Sequence, residues 1–320
     1  MDIFIRGKNG YTAFSKRLED RGFGVRRGAK LILHPVEVLY LALREDVNVI
    51  MNNRVLDVYD VFKWVMSIDD EILALYYAFE DLRRRGYRVR VIDNLLIYKY
   101  IFLPVFETKE LSVMDLAKRK LENLVLAIVD EESELTYYRV EEVDIRGRNF
   151  HEDFKAKGKL IGNRVIVNLA EIYTRYFYGS YRNDAVELSL MEALYLMERG
   201  NLRIFSNQKE LYEDDVREIA KRFDRNFERR YEVYKDLKER GFVVKTGFKF
   251  GCDFRIYEEV LSVENLPHSK YLVSIVDDKK MKAFEIARAV RLAHNVRKDM
   301  IFTYKENNKN RYILIKWIKV

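Results

Sequence analysis

Chemistry enters this sequence most plainly at His268, which stands in Asn265-Leu-Pro-His268-Ser-Lys-Tyr271. Pro267 fixes φ and stiffens the approach, and a strand is expected directly after it. A stiff turn at a strand start is a good mount for a general acid, because a free imidazole titrates near pH ~6.5. A plain surface histidine is the alternative. Thirteen residues on, segment 281–298 has a helical period. At ~100° per residue, Arg288, Arg291, Asn295 and Lys298 fall within about 80° of one another, broadly opposite Ile286, Val290, Ala293 and Val296. That stripe holds three cations and no acid, in a chain where acids are plentiful. A solvated charged face is one reading; phosphate binding is the other. Eleven residues before His268, Tyr257 closes an aromatic-rich strand with Phe248, Phe250 and Phe254. Taken alone it reads as core packing.

The remaining candidates are thin. Four histidines and a lone Cys252 do not make a His- or Cys-rich metal site, and one cysteine forms no intrachain disulfide. His34 and His151 are isolated and read as surface or capping residues. Asp93 with Glu107-Thr-Lys109 mimics the Asp…Glu-x-Lys site of metal-dependent nucleases, which holds Mg²⁺ between its carboxylates. With this much Glu and Lys such a triplet arises by chance, and Pro104 interrupts the expected strand.

The elements that must position these residues come in two copies. Slid by 155 residues, segment 31–90 lies on 186–245 without a gap, and 17 of the 60 pairs are identical. They include Glu37/Glu192, Leu39-Tyr40-Leu41/Leu194-Tyr195-Leu196, Asp81-Leu82/Asp236-Leu237 and Arg85-Gly86/Arg240-Gly241. A period this long is a duplicated domain, not a solenoid. Each copy reads as a short helix (36–43, 190–197), a longer and broken amphipathic helix (57–85, 213–240), a Gly86 or Gly241 C-cap, and an abrupt strand. Strands are expected at 270–276, 300–304 and 311–319. After residue 90 the copies diverge. Their strands are expected to realign at an offset of 147, with Val129-Asp130 on Val276-Asp277, His268 on Leu121 and Lys298 on His151. A duplicated scaffold that differs at its polar points suggests one working copy and one structural copy. The fold class is α+β with mixed sheets, twice over. The expected division is 1–150 for the structural repeat, 151–160 for a polar linker, 161–245 for the first part of the second repeat and 246–320 for its working part.

Composition bounds the rest. With 320 residues and 48% hydrophobic content, the chain has core enough for about two domains, which excludes a disordered or fibrous protein. Lys plus Arg (58) against Asp plus Glu (51) leaves +7, a basic excess that favours a polyanionic partner. No stretch approaches ~18 uninterrupted apolar residues, and Met1-Asp2-Ile3-Phe4-Ile5-Arg6 has no signal-peptide character. No membrane association is expected, and a cytoplasmic location is.

Three linked motifs resemble the archaeal tRNA-splicing endonuclease (tRNA-intron endonuclease) family. They are Lys245-Thr-Gly-Phe-Lys-Phe-Gly-Cys-Asp-Phe-Arg-Ile-Tyr257, His268-Ser-Lys-Tyr-Leu-Val273 and Arg288-Ala-Val-Arg-Leu-Ala-His-Asn-Val-Arg-Lys298, with Ile315-Lys-Trp-Ile-Lys319 closing the chain. Tyr, His and Lys stand 11 and then 30 residues apart, in the family's order. The tandem duplication extends the likeness to the form whose long subunit carries a degenerate N-terminal copy and works as a homodimer. Cys252 departs from the small hydroxylated residue expected there.

The resemblance implies a restriction-endonuclease-like C-terminal subdomain. It also implies a precursor-tRNA substrate folded as a bulge–helix–bulge, and cleavage with no metal and no small-molecule cofactor. On that reading Tyr257 is the general base, His268 the general acid and Lys298 the stabiliser of phosphorane charge. A free phenol is only about 10⁻³ ionised at neutral pH, so the base needs nearby cations. Arg291 matches one member of a cation pair that clamps a flipped base, Arg311 is the candidate for the other, and Arg288 is a further RNA contact. The resemblance also implies an acidic docking loop near Asp277-Asp278. One triad per chain and two cuts imply a homodimer, with Ile313, Ile315, Trp317 and Ile318 expected in its interface. The competing class is a non-catalytic RNA-binding or assembly subunit.

Overall fold

A computed structural model describes residues 1–150 and 152–320. His151 lies outside the described residues. The chain forms two compact units: Met1–Glu142 with Asp278–Arg291 and Ile313–Val320, and Val143–Asp277 with Leu292–Tyr312.

The duplication appears as repeated topology. In unit 1 the strands Asp2–Arg6, Asn9–Ala13, Val25–Arg27, Lys30–Leu33, Asn48–Met51 and Arg54–Leu56 form a sheet in the order third, fourth, second, first, fifth, sixth. In unit 2 Ala156–Ile161, Arg164–Val167, Ser180–Arg182, Ala185–Ser189, Leu202–Ser206 and Lys209–Leu211 follow the same order. In each, the first strand runs antiparallel to the second and parallel to the fifth. Residues 156–160, expected as linker, therefore open the second copy. Lys157 and Lys159 are exposed and Gly158 between them is buried, so the polar residues that read as linker are the wet face of a strand.

The helices follow the expected pattern, with the long segment broken in each copy. Pro35–Arg44, Val58–Met66 and Ile72–Arg84 answer to Leu190–Glu198, Glu213–Phe223 and Phe227–Glu239. The last of each ends at a left-handed glycine, Gly86 (φ +89°) or Gly241 (φ +87°). The next amide returns to Leu82 or Leu237, which is the Schellman closure a residue without Cβ favours. The identical pairs of the repeat do the same work twice. Glu37 and Glu192 each complete a capping box, with His34 and Ser189, and each accepts the amide of a glycine, Gly24 or Gly179. Asp81 accepts from the Tyr137 hydroxyl and Arg85; Asp236 accepts from the Tyr312 hydroxyl and Arg240.

Beyond the glycines each copy contributes a further run of five strands, all ten belonging to one sheet. Arg90–Ile92, Leu95–Ile97, Ile101–Phe106, Leu124–Val129 and Leu135–Glu142 are neighbours in that order except that the short strand Glu110–Ser112 stands apart. The counterparts are Val243–Thr246, Phe254–Tyr257, Tyr271–Ile275, Asp299–Glu306 and Lys309–Ile318. The third and fourth strands of each set are parallel and joined through a helix, Val113–Lys118 or Ala283–Asn295. Register equates Ile97 with Ile256, Ile101 with Tyr271 and Leu124 with Asp299. The expected offset of 147 is therefore wrong. The loop after Tyr257 runs 258–270, whereas its counterpart is only 98–100, and a gapless slide cannot follow that change.

In unit 1 the closing strand is paired within the chain: Ile315 faces Val140, Trp317 faces Tyr138 and Ile318 faces Tyr137. Ile313 and Ile315 are fully buried. Ile313 and Ile315, expected in an interface with a second copy, are thus covered within the chain itself, where the strand's hydrogen-bonding groups meet Leu135–Glu142.

Candidate active site

Three strands of unit 2 position the candidate residues. Phe254–Tyr257 runs antiparallel to Tyr271–Ile275, which runs parallel to Asp299–Glu306. Ile256 lies across from Tyr271, and Tyr271 from Asp299. One edge of the sheet is thus the exit of the first strand and the entry of the other two. Tyr257 ends the first strand, His268 precedes the second by three residues, and Lys298 immediately precedes the third. At ~4.8 Å per strand the outer two backbones stand only about 10 Å apart, within the reach of long side chains.

Each of the three is held differently. The Tyr257 ring packs with Phe177, Val243 and Val260 and is 6% exposed. Among the described residues no group hydrogen-bonds its hydroxyl. His268 is exposed on a loop pinned at both ends. Asn149 brackets Val260 with two hydrogen bonds, of 2.8 and 2.9 Å, and the Lys270 amide donates to the Ile256 carbonyl. The imidazole has no partner among the described residues. Lys298 was expected on a helix reaching 298, but the helix stops at Asn295. Arg297 turns left-handed (φ +57°), and the Lys298 amide donates back to Ala293 at 2.9 Å. This is the same Schellman closure as at Gly241, with arginine where glycine is favoured. It swings Lys298 off the helix stripe and into the strand entry. Burial, and then the neighbouring charge of Arg255, hold the Lys298 ammonium below its ordinary pKa.

Arg255 is the residue the sequence reading passed over. Strand alternation puts it on the face of Tyr257, and its guanidinium carbon lies 5.8 Å from the centre of the Tyr257 ring. The Asp-Phe-Arg-Ile-Tyr alternation was signal enough to find it.

The other expected contacts are scattered. Arg288 and Arg291 belong to unit 1 and Arg311 to unit 2. Arg288 lies over the Phe284 ring, 5.2 Å from its centre. Arg291 is exposed and donates to the Tyr138 hydroxyl at 3.0 Å. Arg311 stands 3.3 Å from the Glu306 carboxylate. Asp277 accepts from the Arg229 guanidinium and the Lys305 amide. Asp93 sits in the turn between Arg90–Ile92 and Leu95–Ile97, and Lys109 pairs with Glu71. Among the described residues no group of three or more His, Cys, Asp and Glu could hold a metal ion. His34 caps a helix, as expected, and burial lowers its pKa to about 4. Burial raises the Cys252 thiol to about 11, and Cys252 fills the space above Gly247, where a Cβ would meet its sulfur at 2.4 Å.

Comparison with known proteins agrees with the repeat. Residues 9–62 and again 156–217 match the tRNA intron endonuclease N-terminal domain, whereas the tRNA intron endonuclease catalytic C-terminal domain matches once, at 227–317. The tRNA-splicing endonuclease of Methanosarcina mazei is 33% identical over 93% of this chain and 92% of its own. That of Haloarcula marismortui is 33% identical over 100% of this chain and 98% of its own. A shorter tRNA-splicing endonuclease, from Thermococcus onnurineus, is 36% identical over 95% of its length but only 50% of this one, as expected of a chain holding two copies. Full-length likeness, with a duplicated N-terminal domain and the catalytic domain in the half that carries Tyr257, His268 and Lys298, makes this chain a member of the tRNA-splicing endonuclease family.

Proposed function

We propose that this chain excises introns from precursor tRNA by cutting bulge–helix–bulge RNA through metal-independent transesterification. The observation that supports the reading is the strand register that brings Tyr257, Lys298 and the loop carrying His268 to one end of the sheet, in the half matching the family's catalytic domain. In the proposed step the ionised Tyr257 oxygen takes the proton of the 2′-hydroxyl at the cleavage point. The 2′-oxygen then bonds to its own phosphorus, and the bond from phosphorus to the leaving 5′-oxygen breaks. Protonated His268 gives that oxygen its proton. The products are a 2′,3′-cyclic phosphate and a 5′-hydroxyl. Lys298 balances the added negative charge on the pentacoordinate phosphorus; fixed donors of this kind contribute several kcal/mol. Arg291 with Arg311, and Arg288, are proposed RNA contacts, the first two as a clamp on an extruded base. Two cuts per intron and one triad per chain make the working form a homodimer.

The test is cleavage of a bulge–helix–bulge RNA in EDTA by wild type and His268→Ala, with analysis of the product ends. Cyclic phosphate and 5′-hydroxyl ends from the wild type alone support the reading. Equal cutting by both proteins removes His268 from the mechanism. Loss of wild-type activity in EDTA favours the Asp93, Glu107 and Lys109 alternative, and no cutting by either protein favours the non-catalytic subunit.

A further inference from the structure

Arg255 is hard to explain as a structural residue. Its side chain is half-buried, and its Nε is buried with no hydrogen-bond partner among the described residues. Among the described residues no carboxylate pairs with it. Asp253, two residues back along the strand, is taken by Arg230 and by the Ile275 amide. Two lysines neighbour Arg255. Lys245 lies directly across the neighbouring strand, itself turned to the Gly179 carbonyl and the Glu192 carboxylate. Lys298 is close enough for the charge of Arg255 to push its pKa down. A half-buried guanidinium beside a second cation, with no acid to match, destabilises the empty fold.

The other copy is an internal control. By strand register the counterpart of Tyr257 is Tyr98, that of Lys298 is Asn123 and that of Arg255 is Leu96. His268 has none, because its loop is missing there. Leu96 is fully buried, so the position is apolar where the chemistry is absent. Arg255 is thus lost together with His268 and Lys298, while the scaffold pairs Asp81/Asp236 and Glu37/Glu192 are kept.

We propose that Arg255 is a fourth catalytic residue, whose guanidinium binds a non-bridging oxygen of the scissile phosphate beside Tyr257. The inference rests on the cleavage reading above. The planar fork offers two parallel donors to a phosphate. The phosphate supplies the anion that Arg255 and Lys298 lack, and the guanidinium holds the phosphorus next to the phenol that deprotonates the 2′-hydroxyl.

The experiment uses the full chain and a bulge–helix–bulge RNA carrying a single Rp or Sp phosphorothioate at the cut. Single-turnover rates are compared for wild type, Arg255→Leu, Arg255→Lys and His268→Ala, and binding is measured with RNA bearing a 2′-deoxy sugar at the cut. Arg255→Leu, which copies the structural repeat, is expected to melt no lower than wild type. It is expected to cleave about 10²–10³-fold more slowly while binding the uncleavable RNA within about threefold of wild type. Arg255→Lys recovers part of the rate. One thio isomer slows wild type and His268→Ala alike, and that penalty shrinks in Arg255→Leu. An Arg255→Leu protein that cuts at the wild-type rate, or keeps the full thio penalty, overturns this inference alone. A wild type that leaves no cyclic phosphate overturns the cleavage reading and this inference with it.

Discussion

Tyr257→Phe separates chemistry from packing at the point where the two meet. The ring is 6% exposed among Phe177, Val243 and Val260, so removing it in Tyr257→Ala is expected to cost about 3–5 kcal/mol of stability. Lost activity in that variant would say little, since a marginally stable chain would unfold with it. Phenylalanine keeps the ring. Because no described residue hydrogen-bonds the hydroxyl, its removal is expected to change stability by less than about 1 kcal/mol. The chemical loss should be far larger. A positioned general base contributes about 10²–10⁴-fold, or about 3–5 kcal/mol in the barrier at ~1.4 kcal/mol per decade. Single-turnover cleavage of bulge–helix–bulge RNA, beside a denaturant melt of the same protein, reads both quantities. Tyr98→Phe is the matched control: Tyr98 holds the equivalent strand position in the other copy, where 54% of it is exposed, and its loss should leave the rate unchanged. A Tyr257→Phe protein that melts like wild type and cuts within about twofold of it refutes the assignment of Tyr257 as base.

Other outcomes follow from the same geometry. Lys298→Ala should slow single-turnover cleavage by about 10²-fold or more and leave binding of 2′-deoxy RNA nearly intact; weakened binding with intact cleavage would contradict its role. His34 should make folding stability pH-dependent. Its imidazole is held at about 4 in the fold against an ordinary 6.5, so its contribution is complete above 6.5 and is lost as pH falls through 4, up to about 3 kcal/mol. Burial raises the adjacent Glu37 to about 7, which acts in the opposite sense. The effect is therefore read as the difference between wild type and His34→Asn, a cap that does not titrate. Asp236→Ala leaves the buried Tyr312 hydroxyl without its acceptor and should cost about 1–3 kcal/mol. Asp81→Ala, which does the same to Tyr137, should cost a like amount, and chemical denaturation of both variants checks the equivalence.

The sequence alone was enough for everything that rests on local or repeated signals. The 155-residue slide found the duplication, since paired scaffold residues such as Asp81/Asp236 and Gly86/Gly241 are bound to the same partners in both copies. Helix positions followed from periodicity, and the Tyr257, His268 and Lys298 spacing led to the family. What it missed depends on contacts between distant segments. Strand register decided that Tyr98, Asn123 and Leu96 are the true counterparts of Tyr257, Lys298 and Arg255, because a loop of changed length defeats a gapless alignment. Only the fold could reveal that the closing strand already has an intrachain partner, that Asp277 is held by Arg229, and that a left-handed Arg297 takes Lys298 off its helix. Arg255 marks the boundary most sharply. Its letter was always legible, but the lack of any ion pair to it among the described residues is a property of the space around the side chain, and composition and spacing carry no record of that space.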